Sequence, residues 1–121
     1  MRTTTYLLLL TILITFQSCF EIIEQVFLKA DGSGDFQLVL NMSKSKTRLN
    51  SIIKMKNING HDVPSKEEIK SKIADIEKTL GKTAGISNVR STADFDNFII
   101  SISCNFNKVT QINNGVKNIY L

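Results

Sequence analysis

The sequence predicts an α+β fold, an antiparallel β-sheet with helices packed on one face in the order ββααββα. Three observations carry this prediction. Residues 20–42 alternate apolar and polar side chains on either side of Asp31-Gly32-Ser33-Gly34-Asp35, residues 65–81 repeat isoleucine and leucine at helical spacing, and residues 98–107 alternate without a break.

The N-terminal segment stands apart from this pattern. Arg2 and the amino terminus are followed by an apolar run from Tyr6 to Phe16, then by Gln17-Ser18 and Cys19, the layout of a secretory signal peptide. A run of this length makes roughly 17 Å of helix at about 1.5 Å per residue, short of the roughly 30 Å core that a spanning helix must cross. An ordinary signal peptidase wants small residues one and three places before the cut. Cutting before Cys19 puts Phe16 at the third place and cutting after it puts Gln17 there, and both fit badly. Phe16-Gln17-Ser18-Cys19 instead resembles a relaxed lipobox, in which a small residue precedes a cysteine whose sulfur receives diacylglycerol. It departs from the strict pattern at Phe16 and Gln17, where leucine and a small residue are usual. The resemblance implies a signal peptide over residues 1–18, lipid attachment at Cys19, and one domain over residues 19–121 beginning at the membrane surface. The competing reading makes Cys19 a buried thiol at the start of the domain.

In residues 20–42, Val26, Leu28 and Ala30 alternate with Gln25, Phe27 and Lys29; after the turn, Phe36, Leu38, Leu40 and Met42 alternate with Gln37, Val39 and Asn41. Asp-Gly with a second glycine close by is a hairpin signal, because glycine reaches positive φ without steric cost. Asp31, Ser33 and Asp35 are also spaced like the first ligands of a calcium loop, but Met42 stands where the twelfth-position glutamate belongs, so a turn is expected. Residues 43–56 hold five basic side chains, Lys44, Lys46, Arg48, Lys54 and Lys56, and no acidic one. Leu49, Ile52 and Ile53 share a helical face there, and a short helix with a cationic rim suits contact with anionic head groups. The plainer reading, a solvated basic face over a core stripe, is preferred.

Residues 57–64 are expected to form a loop. Ser65 then opens a helix, with Glu68 completing a capping box and Ile69, Ile73, Ile76 and Leu80 on one stripe for packing on the sheet; Gly81 is a natural stop. Residues 86–91 suit a strand and residues 93–97 a turn. In the last strand Phe98, Ile100, Ile102, Cys104 and Phe106 face one way and Ser101, Ser103, Asn105 and Asn107 the other, the signature of a sheet with one core face and one wet face. Val109, Ile112 and Val116 have helical spacing, weakened by Gly115, and the chain stops inside an apolar pattern, which leaves room for a truncated reading frame or a further C-terminal element.

Composition narrows the functional classes. Removing residues 1–18 leaves 103 residues, enough for one compact domain. The net charge of +4 becomes +3 with the loss of Arg2; so mild a charge, with an exported address, argues against a nucleic-acid partner. Lipid on Cys19 leaves Cys104 without a disulfide partner, and one histidine, His61, with one free cysteine cannot make a zinc set. Cys104 sits in the apolar row and reads as a buried structural thiol. No nucleophile elbow or phosphate loop is present, Asp94 and Asp96 fall in a turn where aspartate serves its own backbone, and His61 with Asp62 lies alone in a loop. No cofactor, metal or enzymatic activity is expected.

The hairpin tip Asp31-Gly32-Ser33-Gly34 and the late strand running into Phe106-Asn107-Lys108-Val109-Thr110-Gln111-Ile112-Asn113 resemble small uncharacterised lipoproteins of the Bacteroidota. More distantly they are similar to the LppM-type domain of envelope lipoproteins, an α+β domain associated with lipid or glycolipid handling. The likeness covers roughly residues 19–116 and carries no catalytic residue across. It implies a non-enzymatic envelope lipoprotein that binds a partner protein or organises the envelope, or alternatively a module holding an acyl chain between sheet and helices. Cys19-Phe20-Glu21-Ile22-Ile23 lacks the acidic run associated with surface-exported lipoproteins of that group, which favours a periplasm-facing domain on the outer membrane.

Overall fold

The structure, a computed structural model, describes residues 1–15 and 20–120. Cys19 and the rest of the lipobox, residues 16–18, lie outside the described residues. Helix α1 (Arg2–Thr15) carries the N-terminal run from Tyr6 to Thr15, and no helix among the described residues is long and apolar enough to cross a membrane.

The class is α+β. Strands β1 (Glu21–Leu28) and β2 (Gly34–Asn41) form the expected hairpin, a 3-10 turn (Ser43–Ser45) leads into α2 (Lys46–Lys54), and α3 (Lys66–Gly81), β5 (Ile86–Asp94), β6 (Ile99–Phe106) and α4 (Val109–Tyr120) follow, with two short strands, β3 (Asn57–Ile58) and β4 (His61–Asp62), between α2 and α3. The order therefore differs from ββααββα. The segment expected as a loop is a small hairpin in which Asn57 pairs with Asp62 and Ile58 with His61. Its cause is local: Asn59 and Gly60 both take positive φ, at 50° and 83°, as a two-residue primed hairpin turn requires. β5 also runs on through Ala93 and Asp94, which were expected in the turn.

The main sheet is antiparallel throughout, in the order β1-β2-β6-β5. β1 and β5 are its edges. Opposite residues of an antiparallel pair share a face, so the register places Phe36, Leu38 and Leu40 of β2 beside Cys104, Ile102 and Ile100 of β6 on one side. Of these, Phe36 and Cys104 are buried together with Leu80, Ile86 and Phe106, Phe106 being only 2% exposed, and Leu38 and Ile102 from the sheet and Ile76, Ile112 and Ile119 from the helices pack against this core. The opposite face is wet. There Thr92 and Ser101 share a hydrogen bond of 2.6 Å, Asn88 donates to Asn105 at 2.9 Å, and Asn105 donates to Asp35.

Both ends of α3 are tied. Ser65 Oγ accepts from the Glu68 N–H at 3.1 Å and Glu68 Oε2 accepts from the Ser65 N–H at 2.7 Å, the full capping box. Thr83, just beyond the helix, donates to the Thr79 carbonyl at 3.2 Å and accepts from Asn118 of α4 at 3.3 Å. Gly115 does not break α4. It is buried, and a Cβ there would come within 2.8 Å of both Leu80 and Ile86, so the glycine lets α4 close onto α3 and β5.

Candidate functional site

α3 seats mainly on β5, and α4 rests on α3 with lighter contact to β5 and β6. The helix layer is thus centred over one half of the sheet. Over β2 the cover is incomplete, and an apolar groove of about 270 Å³ opens between sheet and helices.

Alternation supplies its floor and amphipathicity its walls. Leu38 and Leu40 come from β2, Ile100 and Ile102 from β6, Ile73 and Ile76 from α3, and Ile112, Val116 and Ile119 from α4, with Tyr120 at the rim. No charged side chain lines it; of the lining residues with polar side-chain groups, Cys104 and Tyr120 stand on this side of the sheet, whereas the Ser101 hydroxyl bonds to Thr92 on the opposite face. Burial pushes the Cys104 thiol above its ordinary pKa, which makes it a poor nucleophile at neutral pH. The groove can therefore hold apolar matter by removing it from water, at about 25 cal/mol per Å² of apolar surface.

The remaining titratable features are turn chemistry. Asp31 Oδ1 accepts from the Ser33 hydroxyl at 2.6 Å and the Ser33 N–H at 3.0 Å, which holds its pKa below the usual value. Asp94 is lowered in the same way by the Asn97 side chain and by the N–H groups of Asn97 and Asp96. His61 is exposed on β4. Among the described residues no three metal-ligating side chains come together.

Lys44 lies in the 3-10 turn, Lys46, Arg48 and Lys54 on α2, and Lys56 beyond it, all exposed. They do not make one uniform face. At 100° per residue Arg48 stands about 160° around the helix from Lys46, and Lys44 reaches back to Glu21 of β1, Nζ to Oε1 3.8 Å. Leu49, Ile52 and Ile53 are half-buried.

A space between sheet and helices was the alternative that the resemblance implied, but no residue was assigned to it, although every strand and helix that builds the groove was expected. The available signal is an excess of apolar positions at Leu40, Ile73, Val116 and Tyr120, beyond what two helices on a four-stranded sheet can cover. Comparison with protein families, curated proteins and solved structures returned no match.

Proposed function

We propose that this chain is a non-enzymatic lipoprotein of the bacterial cell envelope, attached to a membrane through lipid on Cys19 and facing the periplasm, whose domain binds an apolar ligand of the acyl-chain class. The groove between the sheet and helices α3 and α4 carries the ligand reading: it has no charged lining residue and opens to solvent at its rim. Its 270 Å³ lies just below the usual range for small-molecule sites. Counting roughly 30 Å³ for each water-sized group, it takes on the order of nine methylenes, part of one chain rather than a whole lipid. At about 0.8 kcal/mol per methylene removed from water, the groove holds such a segment about as well as an adjoining bilayer does, so a chain can exchange between the two. The resemblance of Phe16-Gln17-Ser18-Cys19 to a lipobox supports the anchor, and the two-residue distance from Cys19 to β1 keeps the domain at the membrane surface.

Mass spectrometry of the chain purified in detergent from a bacterial envelope tests both parts. Under denaturing conditions the mass should correspond to loss of residues 1–18 plus a diacylglycerol on Cys19, and the Cys19→Ser variant should keep the precursor mass. Under native conditions a further noncovalent mass of fatty-acid or phospholipid size should persist, and Val116→Trp, which fills the groove, should remove it. An unlipidated chain refutes the anchor; a lipidated chain repeatedly recovered without bound lipid refutes the ligand.

A further inference from the structure

The two edges of the sheet differ. β5 is broken by a bulge between Ser87 and Arg90, with Asn88 at φ 50°, and α3 packs along it. Such devices prevent an edge strand from adding another strand. β1 has none of them. It keeps unbroken register with β2 over eight residues, all eight are exposed, and it shows apolar side chains on both faces.

Its hydrogen-bonding groups are aligned for a partner. The Lys29 N–H donates to the Ser33 carbonyl at 2.8 Å, one step beyond the β1–β2 register. Antiparallel alternation then turns the odd-numbered residues of β1 towards β2 and the N–H and C=O of Ile22, Glu24, Val26 and Leu28 outward. We propose that β1 pairs antiparallel with β1 of a second copy, about a two-fold axis through Gln25 normal to the sheet, giving one continuous eight-stranded sheet.

The sequence of β1 selects both the occupant and the register. A two-fold axis normal to the sheet keeps like faces together, so registers differ by steps of two. Centred on Gln25, the strand sets Ile22 against Leu28, Ile23 against Phe27, and Glu21 against Lys29 at each end. One apolar pair meets on each face, Glu24 stands opposite Val26, and the end charges are opposite. Centring on Glu24 sets glutamate against glutamate, and centring on Val26 sets Glu24 against Leu28 and Ile23 against Lys29. In the favoured register the two Glu24 carboxylates lie only on a solvated diagonal, roughly 7–8 Å apart. A self-complementary patch of this kind is what an isologous dimer needs. The pairing stands on β1 alone and does not depend on what the groove holds.

Disulfide trapping of the full chain in detergent tests it. Gln25 and its copy form a non-hydrogen-bonded pair with Cα atoms about 4.5 Å apart, within disulfide range. Gln25→Cys should form a covalent dimer on mild oxidation, at least tenfold faster than Glu24→Cys, with the parent chain and its own cysteines setting the background. The added charge in Gln25→Cys/Phe27→Lys should slow the reaction by a similar factor. Cross-linking no faster than background, as expected if β1 lies against lipid or another protein, overturns the proposal, and so does equal cross-linking of the two single variants. Hydrogen exchange reads it without substitution: the amides of Ile22, Glu24, Val26 and Leu28 should gain protection as protein concentration rises, and concentration-independent fast exchange overturns it.

Discussion

The half of the molecule built from α3, β5, β6 and α4 and the half built from the β1–β2 hairpin use similar residues for different ends. Both alternate apolar and polar side chains, yet Cys104 and Phe106 are buried whereas Ile22 is 66% exposed and Leu28 62%. The difference lies in cover. Two helices reach across β5 and β6, lap onto β2 and stop short of β1. Apolar surface in the first half, joined by Phe36 and Leu38 of β2, holds the fold together, and along β1 it faces outward, where it is free to bind. The groove lies on the boundary.

The sharpest way to break this contrast is Phe106→Ala. Phe106 is the largest side chain to be almost wholly removed from water, and its truncation should cost about 3–5 kcal/mol, read as a fall in the urea midpoint at unchanged slope. An effect under 1 kcal/mol would mean that the covered half is not the core. Gly115→Val should come next, at about 1–3 kcal/mol, because the new side chain collides with Leu80 and Ile86; a thermal melt measures it, and a neutral result would show that α4 can lift away. Ile22→Ser should cost the isolated monomer less than about 1 kcal/mol, the span of strand propensity for an exposed site, when melted at a concentration low enough to keep copies apart. A loss as large as that from Phe106→Ala would place β1 in a covered core.

Much of the local structure was legible along the chain. Gly32 takes φ 86° in the first hairpin, as its place after Asp31 implied, and Ser65 with Glu68 makes the capping box that their spacing announced. Ile102, Cys104 and Phe106 face the core and Ile100 the groove, as their alternation required, whereas Phe98, expected in the same row, lies in the turn before β6 at φ 55° and is buried from there. The small β3–β4 hairpin was legible too, in Asn59-Gly60, but two paired residues on each side leave no alternating pattern to support the turn. Gly115 misled for a different reason: propensity counts its cost to an isolated helix, whereas its benefit is the close approach of Leu80 and Ile86 from other elements.

By itself, the sequence determined the α+β class, the two long hairpin strands, the helix behind Ser65 and the face on which Cys104 lies, because turns, caps and alternation depend on residues a few positions apart. Tertiary structure alone decided that β2 pairs with β6, that β1 and β5 are the edges, that one edge is bulged and the other bare, and that the helices leave a groove over β2. A period of two tells which side chains share a face, but it does not tell which strand lies alongside. That choice is made by contacts between residues far apart in sequence, such as Gly34 with Phe106, and by how far two helices can reach across a sheet of four strands.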